Sequence, residues 1–193
     1  MDITVLHSGS EIIAVNKPPG LNVHEAPGSG SSVLRELRKQ FGAELTPVHR
    51  LDKDASGVLL LARSRQSAGV LHQQWHLVKK VYWAMCEGWP ESEEGMIDAP
   101  ILENQTGKPE RLRRALDYFK THHPEIPVPP LPLPKTSGIH PAGRISQTNY
   151  KVLKKFGGSG GKLWSLIEVQ PLHGRMHQIR VHLAHLGCPL AVD

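Results

Sequence analysis

The chain has little cysteine and few aromatic residues: two cysteines in 193 residues, and 5% Phe, Trp and Tyr. Cys86 and Cys188 lie in unrelated contexts, which favours a reducing compartment over a disulfide-stapled secreted fold. No apolar run approaches the roughly 20 residues of a membrane-spanning helix. The first residues also lack the basic and long apolar regions of a secretory signal. These absences predict a cytoplasmic protein that does not span a membrane.

Acidic residues are in the minority. There are 18 Asp and Glu against 23 Lys and Arg, so the formal net charge is +5 with histidine neutral. Such an excess fits a polyanionic partner, because Lys and Arg contacts to phosphates release counterions. The length suits one domain with a proper core. We therefore expect a single domain over residues 1–193.

The apolar pattern alternates between short strands and amphipathic helices. Glu11–Asn16 has the content of a strand. Ser31 or Ser32 can cap a helix through Phe41, and Gly42 can close it. An apolar run ending near Arg63 predicts a second strand, and a second helix is expected from about Arg65 to Leu77.

The second half of the chain reads similarly. From Lys80 to Glu87 the pattern is that of a strand, with Val81, Trp83 and Met85 on one face and Tyr82 on the other. A polar turn is expected at 88–95. A hairpin is expected from Gln147–Lys155 and Leu163–Gln170. A last helix is predicted from about Arg175 to Leu186.

Residues 103–143 have a different composition. A basic patch (Arg111, Arg113 and Arg114) precedes Pro124–Pro134, which contains six prolines and predicts an extended, polyproline-like conformation. The segment is either a tethered surface loop or one that docks a partner.

The most informative stretch is His49–Arg63, with the sequence HRLDKDASGVLLLAR. It places Asp52 in a basic turn, between Arg50 and Lys53, just before an apolar strand. Nearby cations favour the ionised form of a carboxylate. An ionised carboxylate on a rigid element is a candidate nucleophile for glycosyl chemistry, in which the transition state is oxocarbenium-like.

This stretch resembles the catalytic motif of the RluA-type RNA pseudouridine synthases. Three further segments resemble motifs of that family, in the same order: NKPPGL with the following VH, KKVYWA, and GRMHQIRVH, at residues 16–24, 79–84 and 174–182. The resemblance implies an α+β domain built on a curved, mixed but mainly antiparallel sheet flanked by helices. It also implies an isomerisation that needs no nucleotide, metal or organic cofactor.

The resemblance also assigns roles to residues. Asp52 matches the catalytic aspartate, Tyr82 the tyrosine that packs on the target base, and Arg180 the basic residue that pairs with the aspartate. The expected substrate-binding residues are Arg50, His49, Asn16, Lys17, Gly174, Arg175 and His177. Among these, His49, Asn16 and Lys17 are expected to shape the site. Arg50 either helps to fill the space left by a flipped nucleotide or is a second structural partner of Asp52. Gly20, Gly57 and Gly174 are interpreted as turn residues that need unusual backbone angles or close approach.

Some features depart from the family pattern. Ala55 and Met176 stand where threonine is usual, and by the same comparison the chain is expected to be short at its C-terminus. Compared with the family pattern, residues 103–143 look like an insertion between two strands, either a surface loop or a segment that contacts RNA or docks a partner. Twelve histidines are present, yet neither HExxH nor paired cysteines occur, so we predict no zinc site.

One alternative function remains open, a protein on the same fold that binds and remodels RNA without modifying it. The motifs leave the RNA, ribosomal or transfer, and the oligomeric state undetermined.

Overall fold

The computed structural model describes residues 2–25, 30–103, 109–127, 138–157 and 159–191. Its contacts divide the chain into two units, Met1–Val78 and Lys79–Asp193. Each unit has a hydrophobic core and a four-stranded sheet of its own. The single catalytic domain expected from the sequence remains a prediction, and the units are described in turn.

The elements of the first unit are β1 Thr4–Ser8, β2 Ile12–Lys17, α1 Val33–Phe41, β3 Thr46–Pro47, β4 Gly57–Ala62 and α2 Arg65–Gln74. Its strands form an antiparallel sheet with the order β1-β2-β4-β3. One face of the sheet and one face of helix α1 bury Ile13, Leu37 and Leu61 in a common core.

Helix α1 begins and ends where its sequence predicts. The Ser32 side chain accepts a hydrogen bond from the backbone N–H of Arg35 at 3.2 Å, and such a cap is worth about 1 kcal/mol. Gly42 ends the helix in the left-handed conformation, with φ 63°, and its N–H donates to Arg38 O at 2.9 Å. The predicted cap at Ser31 or Ser32 is therefore resolved in favour of Ser32.

Strand β4 and helix α2 also follow the expected pattern. Leu59 and Leu61 are fully buried, as an apolar run in a central strand requires. Ser64 then caps α2 by accepting from Ser67 N at 3.0 Å. The predicted helix at 65–77 is confirmed, with residues Trp75–Leu77 forming a final 3₁₀ turn.

The elements of the second unit are β5 Tyr82–Glu87, β6 Glu94–Asp98, β7 Ile101–Leu102, α3 Pro109–His122, β8 Gly138–Ile139, β9 Gln147–Gly157, β10 Leu163–Pro171 and α4 Gln178–His185. Its main antiparallel sheet has the order β5-β10-β9-β6, and β7 and β8 form a short pair. The predicted hairpin is confirmed as β9 and β10. Strand β6 was not foreseen, because its first residues fall within the predicted polar turn at 88–95.

Strand β5 has the predicted alternation of faces, but its burial was not foreseen. Tyr82 is half-buried and packs with Ala84 and Cys86 on the core of the second unit. The other face is exposed, with Trp83 71% and Met85 46% accessible. Tyr82 therefore lies on the face of β5 that packs on the core.

The segment 103–143 contains a helix, which corrects the expectation of a loop. Helix α3 spans Pro109–His122, and Leu116, only 2% exposed, packs with Leu102 and Ala142 in a small core. The apolar positions of this helix were overlooked beside the proline run that follows. The predicted polyproline conformation falls largely on residues 128–137, which lie outside the described residues.

Helix α4 begins three residues later than predicted. His177 precedes it in the left-handed conformation, with φ 54°, so residues 175–177 form a turn. Gly174 was expected to need positive φ or close approach, and this is wrong. Its φ is not positive, and a Cβ there would meet no atom within 4 Å. Gly57, with φ 125°, does need glycine.

The α+β class and the antiparallel pairing of the strands are confirmed. Among the described residues, no helix is long and apolar enough to cross a membrane.

Candidate functional site

Asp52 lies in the loop that leads from β3 to β4 and is open to solvent. Its side chain is 42% exposed, and its Oδ1 lies 4.0 Å from Arg50 Nη2, whose side chain is 73% exposed. An ion pair this exposed contributes at most about 1 kcal/mol. The backbone turns tightly here, since Ala55 N donates to Asp52 O at 3.2 Å. The carboxylate is therefore reachable by a ligand and held mainly by its backbone.

Lys17 fixes this loop from inside the first unit. The residue is completely buried, unusual for lysine. Its Nζ donates to Lys53 O at 2.8 Å, Ala55 O at 2.8 Å and Pro18 O at 2.9 Å. All three ammonium protons thus have acceptors. Two of these bonds fasten Lys53 and Ala55, one and three residues after Asp52, to the end of β2.

The charge of Lys17 is influenced by the same loop. Burial lowers the pKa of its ammonium, while Asp54 and then Asp52 act in the opposite direction. The two carboxylates thus attract the buried ammonium and oppose the cost of its burial. The Asp52 loop therefore lies above a fixed positive charge that the sequence did not reveal as buried.

His49 and Asn16 occupy different positions near this loop. The Nε2 atom of His49 accepts from Leu60 N at 3.1 Å, and its ring stacks on Trp75 with centroids 4.9 Å apart. Asn16 is exposed on β2, opposite Val58 of β4. His49 is thus part of the support for β4, and Asn16 remains open to solvent.

In the second unit, the GRMHQIRVH segment is held by bonds to its backbone. Arg175 N donates to Gln178 Oε1 at 3.0 Å, and Met176 N donates to Glu103 Oε1 at 2.7 Å. The Arg175 guanidinium donates to Ile145 O at 2.9 and 3.2 Å. Met176, which stands where threonine is usual, is therefore anchored through its backbone.

A buried network of neutral side chains lies beneath this segment. Gln178 Nε2 donates to Thr148 Oγ1 at 2.9 Å, and Thr148 lies 2.8 Å from His182 Nδ1. The other ring nitrogen of His182 is 3.0 Å from Ala99 O, which can only accept. This fixes the proton of His182 on Nε2, so that Nδ1 accepts from the threonine hydroxyl.

Burial lowers the pKa of His182, and the bond to Ala99 opposes this only in part. The neutral ring is therefore the form that fits the network. Gln178 and His182 were not singled out as a pair in the sequence. Their spacing of four residues within one predicted helix was the available signal, since such residues share a face.

A group of cations accompanies the network. Burial, then Arg175, Lys80 and Arg144, lower the pKa of His173. Burial and Arg144 also lower the pKa of Arg175, with Glu103 opposing. Mutual repulsion of this kind is relieved by an anion such as a phosphate. Arg144, which pairs with Glu103 at 3.6 Å, was missed because nothing local marks it.

The remaining predicted residues also lie in the second unit. Tyr82 is on β5 against the core, Arg180 is half-buried on α4, and Gly174 is an exposed turn residue. Because Asp52 belongs to the first unit, its pairing with Arg180 remains a prediction. Among the described residues, no group of three or more His, Cys, Asp or Glu side chains is placed to hold a metal ion.

The sequence matches known proteins over nearly its whole length. A family model described as RNA pseudouridylate synthase matches residues 11–185. The chain is 37% identical over 200 residues to a mitochondrial pseudouridylate synthase of Xenopus tropicalis, covering 98% of this chain and 58% of that protein. It is 39% identical over 188 residues to an uncharacterised RNA pseudouridine synthase of Chloroflexus aurantiacus, covering 92% and 49%.

A ribosomal large subunit pseudouridine synthase C of Vibrio cholerae is 30% identical over 194 residues, covering 98% of this chain and 51% of that protein. The chain thus spans about half the length of the curated relatives it matches.

Two human structures share the fold. The protein named RNA pseudouridylate synthase domain containing 1 superposes with a TM-score of 0.74 at 24% identity, covering 100% of this chain and 68% of that one. The protein named RNA pseudouridylate synthase domain containing 4 gives a TM-score of 0.68 at 26% identity, covering 98% and 67%.

Proposed function

The chain belongs to the RNA pseudouridylate synthase family, and from this membership we propose that it isomerises uridine to pseudouridine in structured RNA, with Asp52 as the catalytic carboxylate. The N1–C1′ bond of the uridine breaks, the uracil turns, and a C5–C1′ bond forms. The proton on C5 leaves to solvent and N1 gains one. No electron is transferred and no group is lost, so the proposed reaction uses no cofactor.

One observation carries this proposal, the presentation of the Asp52 carboxylate. It is accessible, its loop is tied by Lys17 Nζ to two carbonyls within three residues of it, and the buried ammonium lies beneath. A carboxylate that attacks the anomeric carbon must be reachable and fixed in position. The exposure of Asp52 and the bonds from Lys17 support both requirements.

The motifs extend the proposal to three further residues. We propose that Tyr82 packs on the detached uracil and assists removal of the C5 proton. Arg180 pairs with Asp52, and Arg50 enters the space that the flipped nucleotide leaves. Both units then contribute to one catalytic domain, in agreement with a family match that includes residues of each.

Ribosomal RNA is the proposed substrate, because several relatives are named as ribosomal large subunit synthases. The cations Arg144, Arg175 and Lys80 of the second unit suit the phosphates of a structured RNA. We propose a cytoplasmic location on the free, buried Cys86 and Cys188. A relative named as mitochondrial makes the compartment worth testing.

The decisive experiment is tritium release. Total RNA labelled with [5-³H]uridine, from cells without this gene, is incubated with the protein, and tritium released to water is counted. Release is expected from the intact protein and is expected to disappear in Asp52→Asn, which keeps the shape of the side chain but removes its charge. Asp54→Asn is the matched control, since it removes an exposed carboxylate two residues away and should retain release.

An intact protein that binds RNA without release would favour the non-catalytic alternative. Equal loss of release in Asp52→Asn and Asp54→Asn would reject Asp52 as the reacting group.

Binding gives a second test, because phosphate contacts dominate RNA affinity. We expect Asp52→Ala to leave the affinity within about tenfold of the intact protein and the affinity of both to fall steeply with salt. A folded Asp52→Ala protein with a large loss of affinity, or a flat salt response, would contradict a phosphate-led mode of binding.

A further inference from the structure

Helix α3 presents an aromatic and basic surface to solvent. Arg114, Tyr118 and His122 are spaced by four residues and therefore share one face of the helix, and Arg113 lies beside them. All four side chains are exposed, Tyr118 by 54%. We call these four residues the α3 outer face.

The rings of this face are already stacked. Tyr118 and His122 lie with centroids 4.3 Å apart and planes 20° from parallel. His122 Nδ1 donates to Tyr118 O at 2.9 Å, which fixes the imidazole against the phenol ring. The tyrosine ring is thereby ordered while much of its surface stays in water, so the entropy cost of stacking another ring on it is small.

The charge of this face is positive. Among the described residues, no carboxylate lies within ion-pair distance of Arg113 or Arg114. Asp117 is the one acidic side chain among the described side chains of the helix, and Lys120 adds a further cation. Proteins bind single-stranded nucleic acid with these two kinds of group. Cations contact the phosphates, and exposed aromatic rings stack on the bases.

The inner face of α3 anchors it beside the GRMHQIRVH segment. Leu116 packs on Leu102, and the Phe119 and His140 rings meet edge to face with their centroids 5.9 Å apart. The residue after Leu102 is Glu103, whose carboxylate binds Met176 N and Arg144. Helix α3 is therefore attached at the end of β7, next to Glu103, whose carboxylate pairs with Arg144 of the cation group around Arg175.

We propose that the α3 outer face binds RNA, stacking an unpaired base on Tyr118 and contacting neighbouring phosphates with Arg113 and Arg114. It lengthens the RNA-contacting surface of the second unit beyond the motif residues. The inference rests on the proposed function for the identity of the partner.

The test uses a fluorescein-labelled 20-residue oligouridine, whose binding to the full chain is followed by anisotropy. Tyr118→Ala is expected to weaken binding about fivefold or more, and Tyr118→Phe to leave it unchanged, because stacking needs only the ring. Replacing Arg113 and Arg114 together by alanine should weaken binding about tenfold and reduce the slope of log affinity against log salt by roughly 1.4, or about 0.7 per lost phosphate contact.

The matched control replaces Arg35 and Arg38, exposed arginines on α1, by alanine. It removes the same charge from a different helix. Unchanged melting temperatures show that the variants are folded, as expected for exposed positions. Affinity retained in Tyr118→Ala and in the α3 double variant overturns the proposal. An equal loss in the α1 variant also overturns it, because the effect would then be one of net charge.

Tritium release separates this inference from the proposed function. If the intact protein binds the oligonucleotide through α3 and releases no tritium, the surface is correct and the enzyme assignment fails. If release is normal and the α3 variants bind and react like the intact protein, the enzyme assignment holds and the surface is rejected.

Discussion

The two units hold their candidate functional segments by different chemistry. In the first, one buried cation, Lys17, donates to three backbone carbonyls around the Asp52 loop. In the second, the neutral side chains of Gln178, Thr148 and His182 form a hydrogen-bonded network beneath the GRMHQIRVH segment. A cation beneath the loop attracts the carboxylates of Asp54 and Asp52, whereas a neutral network fixes the backbone without adding to a crowded group of cations. Each support thus matches the charge of the segment it carries.

The largest effect is expected for Lys17→Met. It leaves three carbonyl oxygens without their donor, and each unsatisfied buried acceptor costs about 1–3 kcal/mol. We therefore expect the free energy of unfolding to fall by about 3 kcal/mol, measured by urea denaturation, with loss of tritium release. Lys53→Met is the control, since that side chain is exposed. A Lys17→Met protein as stable as this control would show that water replaces the ammonium and that the loop needs no internal cation.

Interrupting the neutral network of the second unit should lower the free energy of unfolding by less than Lys17→Met does. Thr148→Val keeps the shape of the side chain but leaves Gln178 Nε2 and His182 Nδ1 without their shared partner. A decrease of about 2 kcal/mol in the free energy of unfolding is expected, whereas Thr4→Val at an exposed position should change little. A decrease larger than that of Lys17→Met would reverse the ranking of the two supports.

Two motif glycines, one in each unit, differ in their backbone conformation. Gly57 has φ 125° and starts β4, whereas Gly174 has an ordinary φ and open space around its Cα. Gly57→Ala should lower the free energy of unfolding by about 1–2 kcal/mol through backbone strain. Gly174→Ala should change it by less than about 0.5 kcal/mol. Equal effects in thermal unfolding would mean that φ is not what distinguishes the two turns.

The smallest effect concerns pH. Burial lowers the pKa of His182 and of His173 in the folded chain. The unfolded chain takes up these protons near pH 6.5, so the folded state loses stability as the pH decreases below that value. The limiting slope is about 1.4 kcal/mol per pH unit for each histidine. His182→Gln should reduce the slope of unfolding free energy between pH 5 and 6.5, and an unchanged slope would mean that His182 is protonated in the fold.

Local features of the sequence predicted much of the fold. The cap at Ser31 or Ser32, the stop at Gly42 and the hairpin of β9 and β10 follow from neighbouring residues. All were confirmed, with Ser32 as the cap. Helix α3 was missed although Leu116 and Phe119 lie at helical spacing, because the prolines after it dominated the interpretation. Helix α4 began late because His177 takes a left-handed conformation, which no local pattern indicates.

For the candidate site, the motifs led to Asp52, Arg175 and their neighbours but did not reveal how these are held. The burial of Lys17 depends on carbonyls 36 and 38 residues away. The role of Arg144 depends on Glu103 in a distant segment. Such contacts join residues that are far apart in the chain, so only the folded arrangement reveals them.

The sequence alone determined which family this chain belongs to, the order of most of its strands and helices, and the identity of the acidic residue at its candidate centre. Those properties depend on neighbouring residues and short motifs. The tertiary structure decided that Lys17 and His182 are buried, that Trp83 faces solvent and that Tyr118 stands exposed on a helix. Burial and exposure are decided by segments that meet only when the chain folds, and they set which polar groups need partners and which surfaces remain available to a ligand.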